Sequence, residues 1–246
     1  MLRTLATQAA PENRLLRALT GEERSRLYPS MQRTVLALDQ VLYESGERPD
    51  HVYFPTAAVV SCLYTMQDGA MAEIALVGND GVVGIALILG GETVPHRAVV
   101  QIAGDALKIP AKVLQKEFAR AGLLQHVLLL YTQALITQIS QTAVCNRLHT
   151  IEQRLCRWLL LCQDRVNCSE ILMTQENIAN MLGSRREGVT LAAGHLQDSG
   201  LIQYSRGHIK ILDRKGLEAI ACECYRTVED ELDRLAVSPG TSVLSA

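Results

Sequence analysis

The stretch Thr174 to Gln197, TQENIANMLGSRREGVTLAAGHLQ, leaves its fold few options. Thr174 is a residue type that caps a helix, and the helix it opens turns Ile178, Ala179, Met181 and Leu182 inward. Gly183 then permits the left-handed backbone that ends a helix, because it has no Cβ to clash. Ser184, with Glu187 three places on, has the spacing of a capping box and predicts an immediate second helix. There Val189, Ala192, Ala193 and Leu196 fall at i, i+3, i+4 and i+7, one buried face. Glu187, Leu191 and Gly194 point the other way, with Arg185 and Arg186 at the leading end. Two helices about a tight turn, the second offering arginines at its start, suit insertion into a DNA major groove. An ordinary helical hairpin with a solvated face would read the same over this stretch alone.

The following segment favours the first reading. Leu201 to Leu212, LIQYSRGHIKIL, alternates apolar residues about Ser205-Arg206-Gly207-His208, the signature of a β-hairpin. Two helices and such a hairpin make a winged helix-turn-helix. From Thr174 to Gly216 there are six Lys/Arg against four Asp/Glu, in a chain of net charge −2. The excess is small, but it lies where phosphate contacts would be needed.

At 246 residues the chain can build two domains with a core each. Hydrophobic residues at 48% and charged residues at 20% suit a soluble globular protein. No apolar run is long enough for a membrane span, and MLRTLATQAAPENR lacks a signal-peptide pattern. Seven scattered cysteines form no disulfide framework, so cytoplasm is the expected compartment.

Along the chain, residues 1–120 read as short helices followed by a β-roll. Leu15, Leu16, Leu19 and Leu27 form the inward face of the helices. The strands are VLALDQVLYESGE, HVYF, AVVSCLYT, AEIALV, AVVQIA and ALKI. Residues 121–150 read as one long helix. Leu124, Leu128, Tyr131, Leu135 and Ile139 recur along it at spacings of three and four and are expected to form a dimer seam; Leu129, Ile136 and Ala143 add a seven-residue repeat beside them. The same apolar face would also serve as core within one domain. Residues 151–237 hold the winged helix-turn-helix, supported by the apolar helix IEQRLCRWLLLC, and 238–246 read as a loose tail. The fold class is α+β.

This order of elements resembles the Crp/Fnr family of bacterial transcription regulators. In the first domain the resemblance rests on Glu44-Ser45-Gly46-Glu47 before Val52-Tyr53-Phe54, and on Val83-Gly84 leading to Arg97-Ala98. In the second it rests on Gly183-Ser184-Arg185-Arg186-Glu187-Gly188-Val189 and on Leu201-Ile202. It implies a homodimer that binds a pseudo-palindromic site on double-stranded DNA, with RNA polymerase as a further partner. Arg186 and Glu187 stand where family members read bases, with Arg suited to guanine and Glu to cytosine. Arg185 takes a phosphate-contact position, and Leu191 replaces a second arginine common in the family. Ser184, Thr190, Arg206 and His208 complete the expected DNA-binding set.

The resemblance also implies a ligand site at Gly84, Ile85, Arg97 and Ala98. Cyclic-nucleotide-binding members hold the phosphate with an Arg and the ribose hydroxyl with a Glu after a Gly. Here Ile85 follows Gly84, and Ala98 replaces the hydroxyl residue beside the arginine, so cyclic AMP is not the expected effector. An Fnr-type iron–sulfur sensor needs N-terminal cysteines, whereas the first here is Cys62. Cys145, Cys156, Cys162 and Cys168 read as buried hydrophobes, and Cys222 and Cys224 as neighbours on a helix with diverging sulfurs. No zinc spacing is evident, and neither a cofactor nor a metal is expected. No P-loop, nucleophile elbow, GxGxxG or HExxH motif supports an enzyme. The alternative function is a ligand-binding module whose winged domain contacts proteins instead of DNA.

Overall fold

The computed structural model describes residues 12–166 and 170–234; residues 1–11, Cys168 and the tail 238–246 lie outside the described residues. The fold is α+β. Helices α1 (Arg14–Arg17) and α2 (Gly21–Leu27) bury Leu15, Leu16 and Leu27, the turn between them buries Leu19, and a 3₁₀ turn follows over Tyr28–Ser30. Thr20 and Glu23 form a reciprocal capping box at the start of α2.

Seven strands come next: β1 (Gln32–Leu36), β2 (Val41–Tyr43), β3 (His51–Pro55), β4 (Val59–Thr65), β5 (Met71–Val77), β6 (Arg97–Ile102) and β7 (Gly104–Pro110), with a short helix α3 (Ile85–Ile88) before β6. The run VLALDQVLYESGE is two strands, because Asp39 turns the chain in a left-handed conformation (φ 62°) between them. Two antiparallel sheets result, ordered β1-β7-β3 and β2-β6-β4-β5. Leu36, Val52, Phe54 and Ile109 from the first share one core with Tyr43, Val60, Val77 and Val100 from the second.

Helices α4 (Ala111–Phe118) and α5 (Leu123–Leu148) leave the roll. Three anchors seat α5 on the preceding domain. Leu124 N donates to the buried Glu23 Oε1 at 2.9 Å, Tyr131 Oη donates to Val82 O at 3.2 Å, and Leu124, Leu128 and Tyr131 are all at most 3% exposed. Leu135 and Ile139 pack against the same core. Of the expected seam residues, Leu124, Leu128 and Tyr131 therefore lie in the chain's own core, which corrects their assignment, while Leu135 and Ile139 are half-buried at its edge. The outward stripe of α5 is the neighbouring repeat, with Leu129 49% and Ile136 60% exposed, continued by Ala143, Val144 and Leu148.

The remaining elements are α6 (Ile151–Val166), β8 (Glu170–Leu172), α7 (Gln175–Leu182), α8 (Arg186–Asp198), β9 (Ile202–Ser205), β10 (His208–Ile211), α9 (Arg214–Ile220) and α10 (Cys224–Arg234). Helix α6 supports α8 and α9, burying Leu155, Cys156, Trp158, Leu159 and Leu160. It also ties this half to the roll. Arg165 and Asp80, 2% and 6% exposed, pair at 2.9 Å, and losing one partner of such a buried pair costs about 3–5 kcal/mol. No helix among the described residues is long and apolar enough to cross a membrane.

Candidate nucleic-acid interface

Helices α7 and α8 form the expected pair. Thr174 Oγ1 accepts from Asn177 N at 3.2 Å and caps α7, which buries Ile178, Ala179, Met181 and Leu182. Gly183 closes α7 in the left-handed region (φ 54°, ψ 46°), and Ser184 N donates back to Ala179 O at 2.9 Å. That backward bond makes Ser184 part of the stop signal. Arg185, in extended conformation, is the residue that precedes α8, and it makes no side-chain cap. The expected capping box from Ser184 to Glu187 is thus corrected: the serine sits one residue too early. Its Oγ is buried without a hydrogen-bond partner among the described residues. Glu187 is freed from capping and exposed, as are Arg185, Arg186, Thr190 and Leu191, the last at 65%.

The inner face of α8 is Val189, Ala192, Ala193 and Leu196. Gly188 has a packing reason: a Cβ there would lie 2.5 Å from Ile151 Cδ1, so its absence lets α8 approach α6. A Cβ at Gly194 would meet nothing within 4 Å. The Thr190 hydroxyl lies 2.9 Å from Gln175 Oε1 and 3.0 Å from Arg186 O. It links the two helices, and donation to either acceptor occupies its proton.

The wing is β9 and β10, turned through Arg206 (φ 50°) and Gly207 (φ 82°), the two consecutive positive φ angles of a type I′ hairpin. Strand β8, which the sequence reading missed, pairs with β10 on its other side. Two bonds aim the wing. Tyr204 Oη donates to Met173 O at 3.0 Å, and Met173 N donates to Gly207 O at 2.7 Å. Burial raises the Tyr204 phenol above its ordinary pKa, with nearby Arg186 opposing, so it stays a neutral donor. His208 is exposed on β10. Between wing and helices lies a groove of about 320 Å³ lined by Thr174, Gln175, Arg186, Tyr204, Arg206 and Gly207. It has a helix N-terminus on one wall and an arginine on each of two others, the furnishing of a phosphate site.

The residues expected to bind a ligand in the roll are only partly brought together. Gly84, left-handed at φ 100°, leads into α3, and Ile85 behind it is 8% exposed. Ala98 is fully buried opposite Tyr43. Arg97 instead pairs with Glu44 at 3.2 Å, beside a cavity of about 320 Å³ lined by Glu44, Ser45, Leu63, Tyr64, Thr65 and Arg97.

Sequence profiles agree with this architecture. One described as a cyclic nucleotide-binding domain matches residues 33–121, and one described as a Crp-like helix-turn-helix domain matches residues 153–220. The chain belongs to the Crp/Fnr family. Its Crp-like helix-turn-helix makes it, with the family, a DNA-binding transcriptional regulator. Three solved Crp/Fnr-like structures share the fold. FixK2 from Bradyrhizobium japonicum is 18% identical, with a TM-score of 0.66 over 78% of this chain and 98% of that one. A putative Crp/Fnr regulator from Eubacterium rectale is 18% identical, with a TM-score of 0.64 over 84% and 96%. The c-di-GMP-responsive regulator CLP from Xanthomonas campestris is 14% identical, with a TM-score of 0.63 over 79% and 100%. A search of curated protein sequences returned no match.

One constellation departs from the Crp/Fnr expectations drawn from sequence. Cys222 and Cys224 do not lie on one helix: Ile220 ends α9, Cys224 begins α10, and the break between them lets the two sulfurs converge. Cys145 and His149, one turn apart at the end of α5, meet them. The Cys145 and Cys222 sulfurs lie 3.5 Å apart, and a hydrogen bond from the Cys145 thiol holds Cys222 below the ordinary thiol pKa. The reading of Cys222 and Cys224 as helix neighbours with diverging sulfurs is corrected, while Cys145 is buried as expected. The signal available was Cys145-x-x-x-His149, a one-turn spacing on a helix.

Proposed function

We propose that the chain acts as a homodimeric, sequence-specific regulator in which α8 enters the DNA major groove and Arg186 reads a base. The observation that carries this reading is the groove between α7, α8 and the wing. It offers Arg186 and Arg206 to a duplex while Thr174 presents a helix N-terminus. Arg186 at the tip of α8 takes the base-reading role, with exposed Glu187 beside it. Arg185, Arg206 and His208 meet the backbone, and Leu191 offers an apolar contact to a thymine methyl.

The exposed stripe Leu129, Ile136 and Ala143 on α5 is the proposed two-fold seam. Pairing there would cover apolar surface that one chain leaves in water and set two recognition helices ~34 Å apart. The roll serves as a sensor whose effector is not cyclic AMP, because Ile85 is apolar and Arg97 is engaged by Glu44.

Fluorescence anisotropy tests the reading. The purified protein should bind a duplex carrying its selected site at least ~10³-fold more tightly than a scrambled duplex of equal length at physiological salt. Equal affinity for both would contradict it.

A further inference from the structure

Cys145, His149, Cys222 and Cys224 each offer one donor atom, and all four atoms lie within 4.8 Å of one another. Cys145 Sγ is 3.5 Å from Cys222 Sγ, and Cys224 Sγ is 3.6 Å from His149 Nδ1. We propose that these four residues form a tetrahedral site for one zinc-type divalent ion, clamping the end of α5 to the junction of α9 and α10.

The geometry matches a single ion. With metal–sulfur bonds of ~2.3 Å and metal–nitrogen bonds of ~2.0 Å, a tetrahedron sets its donors roughly 3.5–3.8 Å apart. A four-iron cluster would hold its thiolates around a wider cage. A disulfide between Cys145 and Cys222 would need ~2.0 Å between sulfurs and would leave Cys224 and His149 unused. Three sulfurs and one imidazole favour zinc over the hard cations, which prefer oxygen.

The surroundings fit as well. His149 Nδ1 faces the sulfurs while its Nε2 lies 3.4 Å from a Glu223 carboxylate oxygen. That is the carboxylate–histidine–metal arrangement, in which the outer partner fixes the ring's tautomer and orientation. Three thiolates and a neutral histidine around a divalent ion carry one net negative charge. Two guanidiniums, Arg154 and Arg157, are buried within electrostatic reach of the cysteines. Arg157 Nη2 donates to Thr142 Oγ1 at 2.9 Å, three residues before Cys145. Arg154 Nε and Nη2 and Arg157 Nε have no hydrogen-bond partner among the described residues. An anionic centre nearby compensates them. Because the ligands come from α5 and from α9–α10, the ion would fix how the DNA-binding domain sits on the long helix.

The experiment uses the full chain, purified under reductant, with cobalt(II) and zinc(II) as probes and no DNA present. Titrated cobalt should give the visible ligand-field bands and near-ultraviolet thiolate bands of a tetrahedral sulfur-rich site, saturating at one ion per chain and displaced by zinc. Chelation of the zinc form should lower its thermal midpoint. Cys222→Ser should bind cobalt more weakly and lose about one third of the thiolate-band intensity per bound ion. The surface variant Glu223→Gln, which leaves all four ligands and the core untouched, should weaken zinc by about 10-fold. Absence of tetrahedral bands at one equivalent of cobalt in the reduced wild-type chain would overturn the proposal. So would bands that survive unchanged in folded Cys222→Ser, or a Cys145–Cys222 disulfide in protein isolated under reductant. Unchanged zinc affinity in Glu223→Gln would overturn the role given to Glu223.

Discussion

Ser61 on β4 donates its hydroxyl to the carboxylate of Glu73 on β5, both buried where α6 of the DNA-binding domain packs on the roll. Burial raises the Glu73 carboxyl from 4.5 to about 7; the Ser61 bond and the charges of Arg157 and Arg165 oppose it. At pH 4 the group is protonated folded and unfolded alike. From 4.5 to 7 the unfolded chain ionises while the folded chain holds its proton, so stability falls as pH rises. Glu73→Gln removes that loss. By urea unfolding the variant should exceed the wild type by about 3 kcal/mol at pH 8, and by under about 1 kcal/mol at pH 5. A variant no more stable at pH 8 than at pH 5, relative to wild type, would refute the assignment.

Arg186 and Arg206 share a groove but should differ in what their loss does. Arg186→Ala should weaken the preferred site by roughly 1–3 kcal/mol and leave random duplex nearly unchanged. Arg206→Ala should weaken all sequences alike and reduce the salt slope by about one. Anisotropy titrations of both variants on both duplexes decide it; identical behaviour would remove the distinction between reader and positioner.

On α5, Ile136→Glu should yield monomers, since its side chain is 60% exposed and two carboxylates would meet across a two-fold axis. Leu128→Glu should unfold the chain instead, because Leu128 is fully buried in the chain's own core. Light scattering at micromolar concentration, with circular dichroism for folding, separates the two. An Ile136→Glu variant that stays dimeric would move the seam elsewhere.

The difference between those two leucine and isoleucine positions shows where sequence reading stops. Helix α5 is apolar on more than one face, so its periodicity cannot say which stripe lies on the roll. The anchors at Glu23 and Val82 decide it, and neither is near α5 in sequence. The helix-turn-helix was legible because its signals are local: a cap at Thr174, a stop at Gly183, one apolar face on each helix. The misplaced cap at Ser184 came from a residue type that fits two adjacent positions. The wing's turn was legible and its third strand was not, since Glu170–Leu172 is too short to alternate visibly. The cysteine cluster escaped because Cys145 and Cys222 are 77 residues apart and their meeting depends on the break after Ile220.

Cyclic AMP should not stabilise the protein. Ile85 offers no acceptor for a ribose hydroxyl, a loss of roughly 1–3 kcal/mol, and Ala98 removes a further hydrogen bond worth about 0.5–1.5 kcal/mol. A ligand at 100 times its dissociation constant stabilises by ~2.7 kcal/mol, roughly 5–10 °C for a chain of this size. A thermal melt at ~0.1 mM cyclic AMP should therefore show no such shift; a shift of that size, abolished by Arg97→Ala, would contradict the account.

Selection of fragments bound by the purified protein from genomic DNA tests the central claim most directly. The bound fragments should share two inverted half-sites whose centres lie about 10 base pairs apart, the spacing of successive major grooves met by two α8 helices. Arg186→Ala should lose that enrichment while still retaining DNA at low salt. Fragments with no common sequence, or with a single unrepeated half-site, would contradict a dimeric regulator that reads DNA through α8.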